Sequence, residues 1–305
     1  RPSASIGMAL FPDHSEDFGE LILFADAAMY EAKNAGRNCW RLYSSSPQEK
    51  LCVQEQGEWE GRLRRALEND QFVLFYQPLL RLSDNTTPGY EALLRMEDRD
   101  GKLISPGVFL ASAERFGLAI SIDHMVIRKA VRKIRSVDPQ DLWISLNLSH
   151  TALKDKKLFD YIRAVMEESA LRPGQLHIEI TEAAALEYIG EVRELGGQLK
   201  TMGCSLVLDD FGHGPAHHYL QQIPVEMVKI DASFIRNLLT HPANQASVKN
   251  LTTVAHDLGI QVVAKFVEDA SLIPLLRELN VDYAQGFAIG RPMESIEQLR
   301  SVNAA

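Results

Sequence analysis

Eight apolar segments recur from residue 71 onward, and amphipathic stretches separate most of them. The segments read FVLFYQPLL, GYEALLRM, LWISLNLS, LHIEIT, SLVLDD, MVKIDAS, QVVAKFVE and YAQGFAIG. The intervening stretches, such as KLFDYIRAVMEESA and QASVKNLTTVAHDLG, have apolar residues at helical spacing. Alternation of strands and helices with this strand count predicts an α/β protein built as a (β/α)8 TIM-type barrel. A doubly wound open sheet is the alternative.

The first two predicted strands are connected by RLSDNTTP alone. Parallel neighbours need a crossover of a dozen or more residues, whereas antiparallel neighbours need only a short loop. We therefore expect a modified barrel whose opening strand is antiparallel.

Residues 1–45 precede the barrel and contain a predicted strand, SASIGMALF, and a predicted helix, FGELILFADAAMYEAKNAGRNCW. This short β-α fragment is too small for a core of its own and is typical of the end of a larger domain. SSSPQEK indicates a linker, so we assign 46–60 to a linker and helix start and 61–300 to the barrel. Because the chain begins with Arg1, we expect a segment of a longer protein.

Composition excludes several classes of protein. Apolar residues make up 46% and charged residues 24%, which is ordinary for a soluble domain. The net charge of −9 argues against nucleic-acid binding, and no apolar run is long enough to span a membrane. Three cysteines without metal-ligand spacing indicate reduced thiols, and hence a cytoplasmic segment of a protein that could be membrane-anchored elsewhere.

Polar residues stand at the ends of nearly all the predicted strands. They are Glu91, Asn147, Glu179 with Glu182, Asp209 with Asp210, Lys229, Lys265 with Glu268, and Gln285. The sites of barrel enzymes are built where the strands end, so these side chains should converge. Converging carboxylates repel one another unless a cation lies among them. The oxygen set Glu91, Asn147, Glu179 and Asp209 suits Mg²⁺ or Mn²⁺.

Seven motifs in the same order resemble the EAL domain family. They are YEALLR (90–95), NLS (147–149), IEITE (178–182), LDDFG (208–212), VKID (228–231), VEDA (267–270) and DYAQGFAIGRPM (282–293). That family hydrolyses cyclic di-GMP to the linear dinucleotide pGpG. The segments SIGMALFP and ADAAMYEAKNAGRNCW are similar to the C-terminal end of a GGDEF domain.

The resemblance implies a role for each matched position. Glu91, Asn147, Glu179 and Asp209 correspond to ligands of a first metal, and Asp210 to a ligand of a second. Lys229 corresponds to the lysine that holds the attacking water, and Glu182 to the anchor of the loop that begins at Phe211. The substrate contacts implied are Gln77, Pro78, Leu94, Arg95, Pro106, Asn147 and Gln285.

Two departures from the family fall on this machinery. Lys265 stands where the family has a glutamate that completes the second metal site, while Glu268 is retained three residues later. An ammonium there repels a cation and could pair with Asp210 instead. The alternative is that a neighbouring carboxylate compensates or that Lys265 points into solvent. After DDFG the family has small hydroxyl residues, whereas this chain has HGPAHH. His213, His217 and His218 permit a zinc site, but Gly214-Pro215 disfavours a helix that would align them, so surface histidines are the preferred interpretation.

Three functions stay open. The preferred hypothesis is a degenerate EAL domain of a GGDEF-EAL protein that binds cyclic di-GMP with little or no hydrolysis. The alternatives are an active phosphodiesterase dependent on Mg²⁺ or Mn²⁺, and a nucleotide-independent domain that binds a protein effector. The loop after Asp210 is the candidate contact for a homodimer.

Overall fold

The structure is a computed structural model that describes residues 4–34, 39–44, 59–137, 142–155, 157–214 and 219–296. The chain divides into two compact units. One comprises Arg1–Asn69 with Gly107–Leu118, and the other comprises Asp70–Pro106 with Ala119–Ala305. The predicted linker at 46–60 lies almost wholly outside the described residues.

The first unit contains a short parallel strand pair and three helical segments. Its elements are β1 (Ile6–Met8), α1 (Phe18–Asn34), β2 (Trp40–Leu42), α2 (59–68) and most of α3 (Pro106–Arg115). Ala27, Ala28 and Tyr43 form a small core, and the Phe24 ring stacks on Tyr43 with centroids 4.3 Å apart. The helix predicted to run to Trp40 was too long, because Trp40–Leu42 instead forms a parallel ladder with β1.

The second unit is built on a mixed sheet. Its strands are β3 (Phe72–Arg81), β4 (Gly89–Glu97), β5 (Leu103–Ile104), β6 (Trp143–Asn147), β7 (Leu176–Thr181), β8 (Ser205–Phe211), β9 (Met227–Ile230), β10 (Gln261–Ala264) and β11 (Tyr283–Ala284). Its helices are α4 (Ala119–Ser136), α5 (Leu158–Ser169), α6 (Glu182–Glu187), α7 (Ile189–Thr201), α8 (Ala232–Ile235), α9 (Pro242–Asp257) and α10 (Leu272–Glu278). A 3₁₀ helix, His150–Lys154, follows β6.

The sheet closes into an eight-stranded barrel. The strand order is β3-β11-β10-β9-β8-β7-β6-β4, and β3 also pairs with β4, while β5 adds to the edge of β4. β3 is antiparallel to both β4 and β11, and the other barrel neighbours are parallel. The modified barrel with an antiparallel opening strand is therefore confirmed, and the open sheet is wrong.

The helices cover the barrel with apolar faces. α4 shows this pattern, because its buried side chains recur at three- and four-residue spacing, as in Ile122, Val126, Ala130 and Ile134. No described helix combines the length and the apolar character required to cross a bilayer.

Candidate functional site at the barrel mouth

The barrel interior has an apolar layer beneath a polar one. The apolar layer is Leu79, Trp143, Val207, Met227, Val263 and Tyr283. Alternate residues of a strand face the same side, so positions two residues nearer the mouth also point inward. Those positions are Gln77, Ser145, Asp209, Lys229, Lys265 and Gln285. Strand periodicity thus places these polar side chains directly above the apolar layer, which forms the floor of the site.

Lys229 lies at the centre of the deeper part of this site. Its side chain is fully buried, and its Nζ lies 2.6 Å from Glu91 Oε2 and 2.5 Å from Glu179 Oε1. Glu91 also accepts hydrogen bonds from Asn147 Nδ2 at 2.8 Å and from Gln285 Nε2 at 2.7 Å. The sequence predicted that these residues converge, but not that the lysine bridges the two glutamates.

The pKa values of the two glutamates shift in opposite directions, although both glutamates contact Lys229. Burial raises the pKa of Glu91, but the charge of Lys229 and the hydrogen bonds outweigh it and lower the pKa to about 2. Burial and the charge of Glu91 raise the pKa of Glu179 to about 7. The difference follows from the hydrogen bonds that Glu91 receives. Glu179 Oε2 is buried without a hydrogen-bond partner among the described residues. Burial would lower the pKa of Lys229, yet Glu179 and Glu91 raise it, so this lysine is charged.

Lys265 lies in the shallower part of the site and bridges the two aspartates. Its Nζ is 2.5 Å from Asp209 Oδ1 and 2.6 Å from Asp210 Oδ1. The predicted pairing with Asp210 is present, and the structure adds Asp209. The Lys265 side chain is only 12% exposed, although the Asp210 side chain is 50% exposed. The pKa of Lys265 is raised, because Asp209 and Asp210 outweigh the lowering effect of burial.

A bulge in β8 allows two adjacent aspartates to contact one lysine. Neighbouring residues of a regular strand point to opposite faces. Between Leu208 and Phe211 the register against β9 shifts by one residue, and Asp210 adopts a φ of 52°. Aspartate tolerates this left-handed conformation better than most residues. The bulge therefore turns both carboxylates toward the mouth.

Glu182 holds the loop that follows β8. Its Oε2 accepts hydrogen bonds from the backbone N–H groups of Gly212 at 3.2 Å, His213 at 2.8 Å and Gly214 at 3.0 Å. Its Oε1 accepts a short hydrogen bond from the Tyr219 hydroxyl. These contacts hold the start of the loop, and the functional role that the resemblance implied for Glu182 stays a prediction. The departures from the family at Pro215, His217 and His218 lie outside the described residues. The third histidine of the loop, His213, is described, and its Nε2 lies 3.3 Å from Asp231 Oδ1.

Several predicted substrate contacts lie on β3, on β4 and at the start of α3. Gln77 pairs in register with Glu91 and donates a hydrogen bond to Gly290 O at 3.1 Å. Arg95 is half-buried, and its Nη1 donates to Leu94 O at 2.7 Å. Burial lowers the pKa of Arg95. Pro78 is buried in β3, and Pro106 begins α3. These roles stay predictions.

The structure does not bring Glu268 into the cluster. Its side chain is exposed, and it has no hydrogen bond or ion pair among the described residues. Sequence reasoning missed two exposed aromatic side chains near Lys265 and Gln285, namely Phe266 and Phe287, which are 43% and 50% exposed. Phe266 has a φ of 56°, which is unusual for an aromatic residue. Its position directly after Lys265 was visible in the sequence, but its backbone conformation was not.

The donor types at the deeper position are those of a hard-cation site, but Lys229 Nζ lies between two of them, Glu91 Oε2 and Glu179 Oε1. Oxygen ligands are available from Glu91, Asn147, Glu179 and Asp209. Glu179 Oε2 has no hydrogen-bond partner among the described residues, so this oxygen could coordinate a cation. The second position does not fit, because Lys265 Nζ already lies between Asp209 Oδ1 and Asp210 Oδ1. Within the described part of the chain, no group of three or more His, Cys, Asp or Glu side chains is arranged to hold a metal ion. The arrangement present instead holds two ammonium groups.

Comparisons with known families agree with the motifs. A family model described as "EAL domain" matches residues 60–292. A second, described as "Diguanylate cyclase, GGDEF domain", matches residues 1–39. The barrel and the N-terminal fragment therefore match separate families.

Curated relatives match along nearly the whole chain. The chain is 36% identical to cyclic di-GMP phosphodiesterase PdeB of Shewanella oneidensis, covering 94% of this chain and 34% of that protein. It is 37% identical to the bifunctional diguanylate cyclase/cyclic di-GMP phosphodiesterase MucR of Pseudomonas aeruginosa, covering 99% of this chain and 44% of that protein. The chain thus spans less than half the length of these relatives.

Solved structures match the barrel. The MucR phosphodiesterase in complex with c-di-GMP has a TM-score of 0.74 and 34% identity, covering 79% of this chain and 99% of that chain. The FimX EAL domain of Pseudomonas aeruginosa bound to c-di-GMP has a TM-score of 0.74 and 29% identity, covering 78% of this chain and 98% of that chain.

Proposed function

The chain belongs to the EAL domain family, and from that premise we propose that its barrel binds cyclic di-GMP at the mouth and hydrolyses it slowly or not at all. The observation that carries the second half of this proposal is the Lys265 ammonium between Asp209 and Asp210. The first half rests on the two similar structures in complex with c-di-GMP.

The mouth retains groups that suit a nucleotide of this type. Gln77 and Gln285 offer amides on the inner wall, and Gln285 Oε1 is buried without a hydrogen-bond partner among the described residues. Arg95 offers a guanidinium group, which favours a phosphate. Phe266 and Phe287 offer exposed rings on which a purine could stack. Each ring also has a nearby arginine, Arg236 at 5.2 Å and Arg291 at 4.5 Å.

Weak turnover follows from the charge at position 265. Two-metal hydrolysis requires a pair of cations that stabilise the attacking and leaving oxygens. Mg²⁺ binds oxygen at about 2.1 Å, so an ion held by both Asp209 Oδ1 and Asp210 Oδ1 would need the space that Lys265 Nζ occupies. Metal binding there requires Lys265 to leave two ion pairs.

At the deeper position, Glu91, Asn147, Glu179 and Asp209 would hold one cation only if Lys229 gave up its contacts with Glu91 and Glu179. A bound Mg²⁺ or Mn²⁺ would supply Lewis-acid polarisation of a phosphate oxygen. Lys229 offsets part of the charge of Glu91 and Glu179, and Glu182 holds the start of the adjacent loop.

An active phosphodiesterase is the second candidate. It is favoured by the intact pairing of Lys229 with Glu91 and Glu179 and by the intact anchoring of the loop by Glu182. It is also favoured by relatives that are named as phosphodiesterases. Homodimerisation through the loop after Asp210, a protein effector and a cytoplasmic location stay predictions.

Turnover separates the two candidates. The chain is incubated with cyclic di-GMP and either Mg²⁺ or Mn²⁺, and the products are separated by chromatography. The MucR phosphodiesterase, assayed alongside, is the positive control. We expect pGpG to form at least about 100-fold more slowly than in the control, since loss of one charge-stabilising group commonly costs that much. Rates within a few-fold of the control would establish the active enzyme instead.

A further inference from the structure

Four carboxylates and two ammonium groups form a single polar cluster at the barrel mouth. The carboxylates are those of Glu91, Glu179, Asp209 and Asp210, and the ammonium groups are those of Lys229 and Lys265. The cluster separates into two parts, each with one lysine between two carboxylates. With all six groups ionised, four negative and two positive charges leave a net charge of −2.

The two lysines have different surroundings. Lys229 is fully buried and lies beneath the ligand-accessible surface. The Lys265 side chain is 12% exposed, and its partner Asp210 is half exposed. Lys265 is therefore the ammonium group that a ligand entering the mouth can approach.

The backbone holds Lys265 in this position. Val263, two residues earlier, packs in the apolar floor, so strand alternation directs Lys265 inward. On either side of the lysine, Gln285 N donates to Ala264 O at 2.9 Å and Val267 N donates to Gln285 O at 3.0 Å. Gly286 lets the two segments lie this close, because an added Cβ would come within 2.2 Å of Val267 O. The segment that bears Lys265 is thus fixed to the neighbouring strand end.

Carboxylates at this mouth oppose the binding of an anionic dinucleotide. Cyclic di-GMP carries two phosphodiester groups and hence two negative charges. Carboxylates at the mouth repel those charges unless cations lie between them, and repulsion of this kind is strong where solvent is partly excluded. In a two-metal site divalent ions do this. Here a covalently attached ammonium group occupies the space between the outer two carboxylates.

We propose that Lys265 is a built-in counterion that replaces the second metal ion, so that cyclic di-GMP binds this chain without divalent metal. This inference rests on the proposed function, because it concerns the same ligand and the same site. It goes further by assigning the cation that accompanies the nucleotide. The substitution Lys265→Glu should then make the binding of cyclic di-GMP depend on a divalent ion.

Calorimetric titration with cyclic di-GMP, in EDTA and in Mg²⁺, tests this assignment. The proteins compared are the wild type, Lys265→Met, Lys265→Arg, Lys265→Glu and the control Lys249→Ala, whose side chain is exposed on α9. We expect the wild type and Lys249→Ala to bind with the same Kd, within about threefold, in both buffers. In EDTA, Lys265→Met should bind at least about 10-fold more weakly, as loss of a charged hydrogen bond predicts, and Lys265→Arg should retain most of the affinity.

A second measurement does not depend on the nucleotide. Thermal unfolding with and without Mn²⁺ reports binding of the ion alone. Mn²⁺ should raise the Tm of Lys265→Glu and leave that of the wild type unchanged, because the wild-type ammonium group lies between the carboxylates that would bind the ion. A cooperative unfolding transition in each variant shows that it folds.

The outcomes distinguish this inference from the proposed function. Wild-type binding that appears only with Mg²⁺ would overturn the counterion role and leave nucleotide binding intact. Unchanged affinity of Lys265→Met in EDTA would also overturn it. Absence of binding by the wild type in both buffers would instead refute the proposed function.

Discussion

At the scale of single residues, the partners of a buried group decide whether it carries charge. Lys229 is buried and remains charged because two carboxylates contact it. His177 is also buried, but it has no acidic partner among the described residues. Its ring stacks on Trp143 with centroids 4.4 Å apart, and its Nε2 lies 3.2 Å from Gly174 O. Burial therefore lowers the pKa of His177 to about 4 and keeps the ring neutral.

This neutral histidine predicts a pH dependence of stability. Its ordinary pKa is 6.5, so below that pH the unfolded chain binds a proton that the folded chain excludes until pH about 4. Stability is fully present above pH 6.5 and is lost as the pH falls through this window. Urea unfolding at pH 7 and pH 4.5 should show the wild type losing about 2–3 kcal/mol more than His177→Phe, which cannot titrate.

His177→Phe is the matched control because it retains an aromatic ring against Trp143. Equal losses in the two proteins would show that the pKa of His177 is the same in the folded and the unfolded chain.

At the scale of elements, close packing between strands determines where the floor of the site lies. Gly89 begins β4 and pairs in register with Trp143 at the start of β6. A Cβ added at Gly89 would lie 2.1 Å from the Trp143 ring. The glycine therefore makes room for the largest side chain of the apolar layer, on which the polar cluster rests.

Gly89→Ala should destabilise the barrel. Overpacking of a core commonly costs about 1–3 kcal/mol, and we expect a loss of free energy of unfolding in that range, measured in urea. Gly197→Ala in α7 is the control, because nothing lies within 4 Å of its added Cβ. That change should be neutral or stabilising by up to about 1 kcal/mol.

The contact between an added Cβ at Gly89 and the Trp143 ring predicts that a smaller side chain at position 143 reduces the effect of Gly89→Ala. In a Trp143→Leu background, Gly89→Ala should cost less than in the wild type, since the ring that it meets is gone. An equal cost in both backgrounds would mean that the ring does not explain the glycine.

At the scale of the whole molecule, the chain contains two compact units, and the polar cluster belongs to one of them. The loop residues that Glu182 holds and both lysines lie in the barrel unit, whereas α1, β1 and β2 lie in the other. A ligand that binds the mouth should therefore stabilise the two units unequally.

Amide hydrogen exchange of the full chain should show this difference. Cyclic di-GMP at about 100-fold above its Kd stabilises the bound state by about 2.7 kcal/mol. We expect slower exchange at the strand ends of the barrel mouth and at Gly212–Gly214, and unchanged exchange in α1. Protection confined to α1 would place the ligand outside the barrel.

The sequence by itself determined the order of the elements, the antiparallel opening strand and the set of polar residues at the mouth. These features depend on local periodicity, on the length of one connection and on motif spacing, all of which can be read along the chain. It also predicted that Lys265 and Asp210 meet.

Only the tertiary structure decided which charges pair. The bridging of Glu91 and Glu179 by Lys229, and the contact of Asp209 with Lys265, depend on the register between strands that are distant in sequence. The bulge that turns Asp209 and Asp210 to the same side depends on the pairing of β8 with β9. Such pairing shifts a side chain from one face to the other with a single residue of slippage, so it is settled only when the closed barrel fixes every strand against its neighbours.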